Sequence, residues 1–396
     1  MMATLASSES NCLTQGLNHL TSGINRIESY RHSGSVLLLS FLDVLMTLFS
    51  VTYRYQKTTP MPQSINESTS SIAKRIAAED NRSAPFQISE LLHQLKDHHS
   101  DVTAFMTFFS HWGIRRFRRI EIEGLDRIPQ HRHHIFISNH RDILLDPVLI
   151  NHALLSHQLT AARSVIGSNL MEDPAMARLM SLAGCLEVPR GDMPLRDKFK
   201  ALKQLSADIQ SSLEQHNVWI AQREGRAKDG IDETNPAVLK MLLMAKEKHQ
   251  STASFLSQQS IIPVSISYQW DPSDTHKALE RYIRGLDGTE LDNASRTDTM
   301  QHLIDSLDRC EGDVQINFGT PLYSETPDEL VTHIDQHILE NYRYFDSHLA
   351  ALSMTKHETL SDDLKDAENQ FKERISELPD AAGALLIESY ANSCRK

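Results

Sequence analysis

The chain has 396 residues, 40% of them hydrophobic and only 6% aromatic, enough to bury one large domain or a core with appendages. A formal charge of −12 excludes a general nucleic-acid binder, though it leaves room for a local basic patch. The four cysteines, Cys12, Cys185, Cys310 and Cys394, lie far apart with no CxxC pair, which excludes a disulfide framework or a cysteine zinc site and fits a reducing compartment.

The first thirty residues are polar and lack the apolar core of a secretory signal. Ser35 to Tyr53, "SVLLLSFLDVLMTLFSVTY", is nearly long enough to cross a bilayer. Asp43 sits in its middle, however, where a carboxylate costs roughly 2.5–3.5 kcal/mol. Arg31 and Arg54 flank it on both sides and give no clear orientation. The stretch reads as a helix that rests on a membrane or packs on protein rather than one that spans. Residues 56–84 are rich in Ser, Thr, Asn and Pro without sustained periodicity and form a linker.

Helical spacing returns at "PFQISELLHQLKDHHSDVTAFMTFFSHW", and "IRRFRRIEIEG" then turns to alternation. From there strands and helices alternate. "HIFIS" is followed by an apolar helical run from Pro147 to Leu155, "RSVIGS" by the helix "DPAMARLMSLAG", and "CLEVP" by the long amphipathic "MPLRDKFKALKQLSADIQSSLEQH". "VWIAQ" precedes a helix opened by Asn235 and Pro236, and "IIPVSISYQ" and "VQINFG" are the last strands. This order predicts an α/β fold, a mostly parallel sheet flanked by helices, with N-terminal and C-terminal helical extensions. The division reads as an extension over 1–84, the α/β domain over 85–325 and a charged helical region over 326–396. No internal repeat and no glycine-rich phosphate loop is present.

Sites in such sheets lie off the carboxyl ends of the strands. Three strand ends carry chemistry here. After "HIFIS" come Asn139, His140, Arg141 and Asp142, with Asp146 beyond. An imidazole titrates near neutrality and can take a proton from a hydroxyl, best when a carboxylate holds its tautomer. Asp142 and Asp146 are the local candidates; the plainer alternative has these groups capping the next helix, with Asp146 as the N-cap before Pro147. After "VWIAQ" comes "REGR", in which Gly225 permits a tight turn and Arg226 suits bidentate contact with phosphate, unless the run is simply a solvated loop. After "CLEVP" comes Arg190. Together they describe a base beside an anion site, as a substrate with a hydroxyl near a phosphate requires.

"SNHRDILLDP" resembles the first block of the phospholipid/glycerol acyltransferase family, an Asn-His pair followed by an aspartate. "GCLEVPR" is similar to its second block, "REGR" to its third, "IIPVSISY" to its fourth, and "INFGTPL" to the strand and turn that close the domain. The blocks fall in family order from Ile120 to Leu322, about half the chain. The resemblance implies that His140 is the general base for an acceptor hydroxyl attacking the thioester of acyl-CoA or acyl-carrier protein. Asp146 would orient it, and Glu224, Gly225 and Arg226 would bind the glycerol phosphate with Arg190. The donor is then a co-substrate, and no cofactor and no metal is implied.

Two departures stand out. Five residues separate His140 from Asp146 where the family has four, so either a bulge returns Asp146 to the histidine or Asp142 serves as alternate relay. "DPVLI" continues like the family helix and favours Asp146. The third block also lacks the family's Phe-Pro before Glu-Gly, which leaves the acceptor open.

The expected activity is acyl transfer to a lysophospholipid or glycerol-phosphate hydroxyl, 1-acyl-glycerol-3-phosphate before glycerol 3-phosphate or an amino-acid lipid. The expected place is the cytoplasmic face of a membrane, peripheral rather than spanning, with lipid acceptor and acyl donor as partners and no nucleic acid. The rivals are a lipid-ester hydrolase, against which the missing GxSxG elbow counts, and a non-catalytic lipid-binding protein, against which His140 and Glu224 count. "FFSHWGIRRFRR", Phe108 to Arg119, suggests interfacial contact, with Trp112 and Phe117 at headgroup depth. The "HRHH" run at His131–His134 has no spaced second ligand group and reads as a loop entering a strand rather than a metal site.

Overall fold

A computed structural model of the protein describes residues 102–172, 174–287, 306–307 and 309–394. All of these belong to one compact unit. The apolar stretch at 35–53, the linker and the remainder of the N-terminal extension lie outside the described residues.

Seven strands form one sheet in the order β1-β7-β6-β2-β5-β3-β4. They are β1 (Arg119–Glu123), β2 (Ile135–Ser138), β3 (Ala162–Gly167), β4 (Leu186–Val188), β5 (Asn217–Ala221), β6 (Ile261–Tyr268) and β7 (Asp313–Phe318). Every neighbouring pair is parallel except β6 with β7. The centre consists of β2 between β5 and β6, with Ile135 in register with Val218 on one side and Ile261 on the other. All four residues of β2 and all eight of β6 are buried, as central strands covered on both faces must be.

Successive side chains of β2 serve opposite cores. Phe136 joins α1 (Val102–Gly113), α2 (Leu145–Ser156) and α3 (Pro174–Leu182), through Phe108, Phe109, Leu149 and Leu179. Ile135 and Ile137 join α4 (Leu195–Ser212), α5 (Pro236–Leu242), α6 (Thr252–Gln258) and α8 (Pro327–Glu340), through Leu205, Leu239, Phe255 and Ile334. The result is helix, sheet, helix. Asn235 starts α5 by accepting the Ala237 N–H at 2.9 Å, with Pro236 at the position where a missing N–H costs nothing.

A third core joins α7 (Asp274–Asp287) to α9 (Asp346–Thr355), α10 (Lys365–Ile375) and α11 (Asp380–Asn392) around Trp270, Phe371 and Tyr390. The charged C-terminal region thus contributes to two cores, through α8 against the sheet and through α9–α11 against α7. Two helices, α6 and α7, were not foreseen in the sequence.

One expectation is corrected. Phe108, Trp112 and Phe117 are buried, so the basic aromatic stretch is no interfacial surface. Trp112 stacks on Phe108 at 6.1 Å and Phe117 meets the Tyr268 ring at 6.0 Å. Arg118 pairs with Asp313 and Arg119 with Glu121. Aromatic area is worth more in the core than at the surface; α1 turns Phe108 and Trp112 inward, and the connection to β1 does the same for Phe117.

Candidate active site

The backbone bonding between β2 and β5 continues past the strand ends and frames the site. The Gln222 N–H donates to the Ser138 carbonyl at 2.8 Å, and the Ala227 N–H donates to the His140 carbonyl at 2.8 Å. Between those two bonds the chain leaves the ladder for four residues, Arg223 to Arg226. "REGR" is therefore an excursion pinned at both ends beside His140. Gly225 takes φ +74°, the left-handed region that glycine enters without strain.

His140 sits just beyond β2 with its side chain 12% exposed, and its ring edge meets the Trp219 ring at 5.9 Å. Its Nδ1 lies 2.9 Å from Asp146 Oδ2. The Asp146 carboxylate is fully buried and densely held. Oδ2 also accepts the N–H groups of Arg141 at 2.7 Å and Asp142 at 3.0 Å, while Oδ1 accepts the Tyr268 hydroxyl at 2.8 Å. Burial, reinforced by the Asp146 charge, raises the Tyr268 phenol well above its ordinary value and keeps it a donor.

Asp142 points elsewhere. Its Oδ1 accepts the N–H groups of Leu144 at 3.0 Å and Leu145 at 2.9 Å, and its Oδ2 accepts the Ser273 hydroxyl at 2.7 Å. Burial opposes its ionisation, but the Leu145 N–H, the Ser273 hydroxyl and the Arg226 charge outweigh that and lower its carboxyl. Asp142 thus holds the turn that leads into α2, whose N-cap is Leu144, and Asp146 is no N-cap because it lies inside the first turn. The extra residue between His140 and Asp146 is absorbed as 141–144 curl round the Asp146 carboxylate.

Arg190 and Glu224 form an ion pair, so two residues expected to meet a ligand separately meet each other. The Arg190 backbone N–H donates to the Ser168 hydroxyl at 3.0 Å. Arg190 Nε is buried without a partner, and burial lowers the guanidinium. Gly167 makes room for it: a Cβ there would lie 2.8 Å from Arg190 Nε. Arg226 is half-buried and acts electrostatically on Asp142, Lys228, Lys277 and Glu280, whereas Arg190 is held near β3 and β4. The two arginines expected to bind an anion therefore do not form one fork: Arg226 lies within the excursion, and Arg190 reaches it from another strand end through Glu224.

Several supporting residues, Asn139 of the Asn-His pair among them, have partners that no linear pattern gives. Asn139 is buried and replaces a ladder residue: its Oδ1 accepts the Ile266 N–H at 2.8 Å and its Nδ2 donates to the Ile266 carbonyl at 2.9 Å. Arg141 is buried and pairs with Asp232, with its guanidinium over the Tyr342 ring at 5.3 Å. Burial works against that charge, yet Asp232 outweighs it and raises the guanidinium. Arg141 also donates to the Gly230 carbonyl and the Ser393 hydroxyl, both at 3.2 Å, joining the site to α11. Tyr268 could have been suspected, because it closes the fourth block at a strand end. Two of the "HRHH" histidines have partners of their own: His133 Nδ1 lies 2.9 Å from the Leu213 carbonyl, and His134 Nδ1 faces the Ser260 hydroxyl and Nε2 the Pro129 carbonyl, both at 2.7 Å. Among the described residues no group of His, Cys, Asp and Glu is placed to hold a metal ion, and no helix is long and apolar enough to cross a membrane.

Residues 119–267 match the family model described as acyltransferase. That span contains the first three blocks and all but the last residue of the fourth. No curated protein matches the chain. Among solved structures, the 1-acyl-sn-glycerophosphate acyltransferase PlsC from Thermotoga maritima is similar at 14% identity and a TM-score of 0.35, over 67% of this chain and 83% of that one.

Proposed function

We propose that this chain, whose residues 119–267 match the acyltransferase family model, acylates a hydroxyl of a glycerol-phosphate lipid on the cytoplasmic face of a membrane. The acceptor we favour is 1-acyl-glycerol-3-phosphate, and the donor is a thioester, acyl-CoA or acyl-carrier protein. The observation that carries this reading is the 2.9 Å contact between His140 Nδ1 and the buried Asp146 carboxylate, beside an excursion that displays Arg226.

With Nδ1–H donated to Asp146, the lone pair of the ring is on Nε2. Nε2 takes the proton of the acceptor hydroxyl as its oxygen forms a bond to the thioester carbonyl carbon. Asp146 stabilises the imidazolium that results and holds the ring. The carbon–sulfur bond then breaks, and the leaving thiolate collects the proton from Nε2, which returns His140 to its starting state. The reaction has no acyl-enzyme and leaves an ester and a free thiol. Arg226 holds the acceptor's phosphate, while Arg190, steadied by Glu224, lends charge from the other flank.

His140→Ala tests the reading, with thiol release from acyl-CoA measured with and without lysophosphatidic acid. Acceptor-dependent release should fall roughly 10²–10⁴-fold in a chain that stays folded, the usual contribution of a general base. Near-normal turnover in the folded variant would sink the mechanism. Thiol release that ignores the acceptor would instead indicate hydrolysis.

A further inference from the structure

The long helix α4 carries an apolar stripe at Leu195, Phe199, Leu202, Leu205 and Ile209, a spacing that keeps one face of a helix. Its C-terminal half does what such a stripe usually does: Leu205 and Ile209 are buried against the sheet, and Leu202 packs partly on the same core. Towards the N-terminus the stripe continues after the core has ended. Phe199 is 61% exposed and Leu195 84%, and Met193 just before the helix is exposed too. Every residue from Gly191 to Lys200 is exposed. A helix rises about 1.5 Å per residue, so roughly 10 Å of apolar stripe stands clear between Leu195 and Leu202. A surface helix without a partner would turn polar where its core contact stops.

The charge around this stripe opposes that of the chain. Between Met193 and Lys203 there are four cations, Arg196, Lys198, Lys200 and Lys203, against one acid, Asp197. The four cations are exposed, whereas the whole chain carries a formal −12. The segment also begins beside the candidate active site, because Arg190 is ion-paired to Glu224 of the excursion.

We propose that the protruding start of α4, with Leu195 and Phe199 as apolar wedges and Arg196, Lys198, Lys200 and Lys203 around them, docks the chain on an anionic lipid surface. The choice of a bilayer as the occupant rests on the acyl-transfer reading above. Projecting apolar side chains ringed by cations insert into the headgroup and acyl boundary, and each cation near an anionic surface adds attraction. An acidic carrier protein would satisfy the cations equally well. It would, however, have to offer a concave apolar pocket for a ridge that stands proud, which a bilayer supplies by simply parting.

The test puts an indole at the tip, as Phe199→Trp in the full chain. Trp112, Trp219 and Trp270 are the three native tryptophans and all are buried, so the emission gained belongs to position 199. Vesicles of acyl-brominated phosphatidylcholine with an equal part of phosphatidylglycerol should quench that emission, and brominated phosphatidylcholine alone should do so far less. Adding Lys198→Glu and Lys200→Glu should raise the lipid needed for half-quenching by roughly fivefold per cation lost. Leu195→Ser with Phe199→Ser should leave turnover on a short-chain, monodisperse acceptor unchanged.

Unquenched emission on anionic vesicles would overturn the proposal. So would emission that is already that of a buried indole without lipid, which would mean another part of the chain covers the face. A shift produced by acidic acyl-carrier protein and not by vesicles would give the face to a protein partner. Half-quenching indifferent to the charge reversals would remove the electrostatic argument. Quenching needs no turnover, so a chain that inserts but transfers no acyl group would sink the acyl-transfer reading alone.

Discussion

His140 and Asp142 stand two residues apart at the same strand end, yet only one nearby carboxylate reaches the imidazole. Asp146 accepts from His140, from two backbone N–H groups and from Tyr268, so it is held in one orientation where it is buried. Asp142 spends its oxygens on the first turn of α2 and on Ser273. The two replacements should therefore separate. Asp146→Asn should lower turnover strongly, since an amide can leave the imidazole in the wrong tautomer. Asp142→Asn should keep most of the turnover, because an amide oxygen can accept the same Leu144 and Leu145 N–H groups. Asp142→Ala should cost about 1–3 kcal/mol of stability, because it leaves the buried donors of the entry turn without their acceptor. Steady-state turnover and urea unfolding on the same proteins check both halves, and a larger loss of turnover at Asp142 would reverse the assignment.

The excursion between Gln222 and Ala227 belongs to β5 as an element, and its behaviour follows from where it is pinned. Arg226 makes no hydrogen bond or ion pair among the described residues, which leaves its fork for a ligand. Arg226→Ala should raise the acceptor KM roughly 10–100-fold, the worth of a charge-assisted bond at about 1.5–3 kcal/mol. The donor KM should move far less, and Arg226→Lys should recover only part of the loss. Saturation curves for both substrates decide it, and an unchanged acceptor KM would make the excursion a solvated turn. The same loop is braced further on by α11. Asn392 Nδ2 donates to the Asp229 carbonyl at 2.9 Å, and a Cβ on Gly230, at φ +80°, would run into the Ser389 carbonyl oxygen. Gly230→Ala should thus cost about 2–4 kcal/mol, from left-handed strain and overpacking together. Gly225→Ala has the same sign of φ but open space around it, so only the strain of about 1 kcal/mol remains. Equal midpoints for the two variants in urea would show that α11 does not brace the loop.

The molecule as a whole couples the site to the C-terminal helices through buried groups. Behind the dyad, Arg141, Tyr268, Tyr342 and His348 surround a cavity of about 10 Å³, room for roughly one water. Burial, helped by the Arg141 charge, depresses the His348 imidazole to about 3. In the unfolded chain a histidine titrates near 6.5, so between those values the unfolded state binds a proton that the folded state refuses. His348 therefore contributes stability that is present above pH 6.5 and lost as the pH falls towards 3. Between pH 7 and pH 5 the loss from this residue should be about 2 kcal/mol. Urea midpoints at both pH values, compared with His348→Gln, isolate it: the variant should lose less on acidification. An identical pH response in the two chains would contradict the assignment.

The order of strands and helices, the blocks at three strand ends and the family resemblance could all be read along the chain. Each depends on local periodicity or on neighbours in sequence, as with the apolar "IFIS" running into His140. Two helices escaped: α7, Asp274–Asp287, although it carries Ala278, Leu279, Tyr282 and Ile283 at a helical spacing legible in the sequence, and α6, which is only seven residues long. The partners of the site residues escaped for a different reason. Nothing in the spacing of Asp142 and Asp146 says which carboxylate meets an imidazole, because that depends on where 141–144 curl. Nothing in "REGR" and "VPR" says that Glu224 and Arg190 pair with each other, since they lie on different strand ends. The aromatic residues of Phe108–Arg119 looked fit for a membrane until the sheet supplied a core for them, while nothing in the amphipathic pattern of α4 says that the sheet ends short of Leu195 and Phe199. Local pattern determined which residues were candidates, and only tertiary packing, which sets where each apolar face runs out and which charges are left to meet, decided what each of them touches.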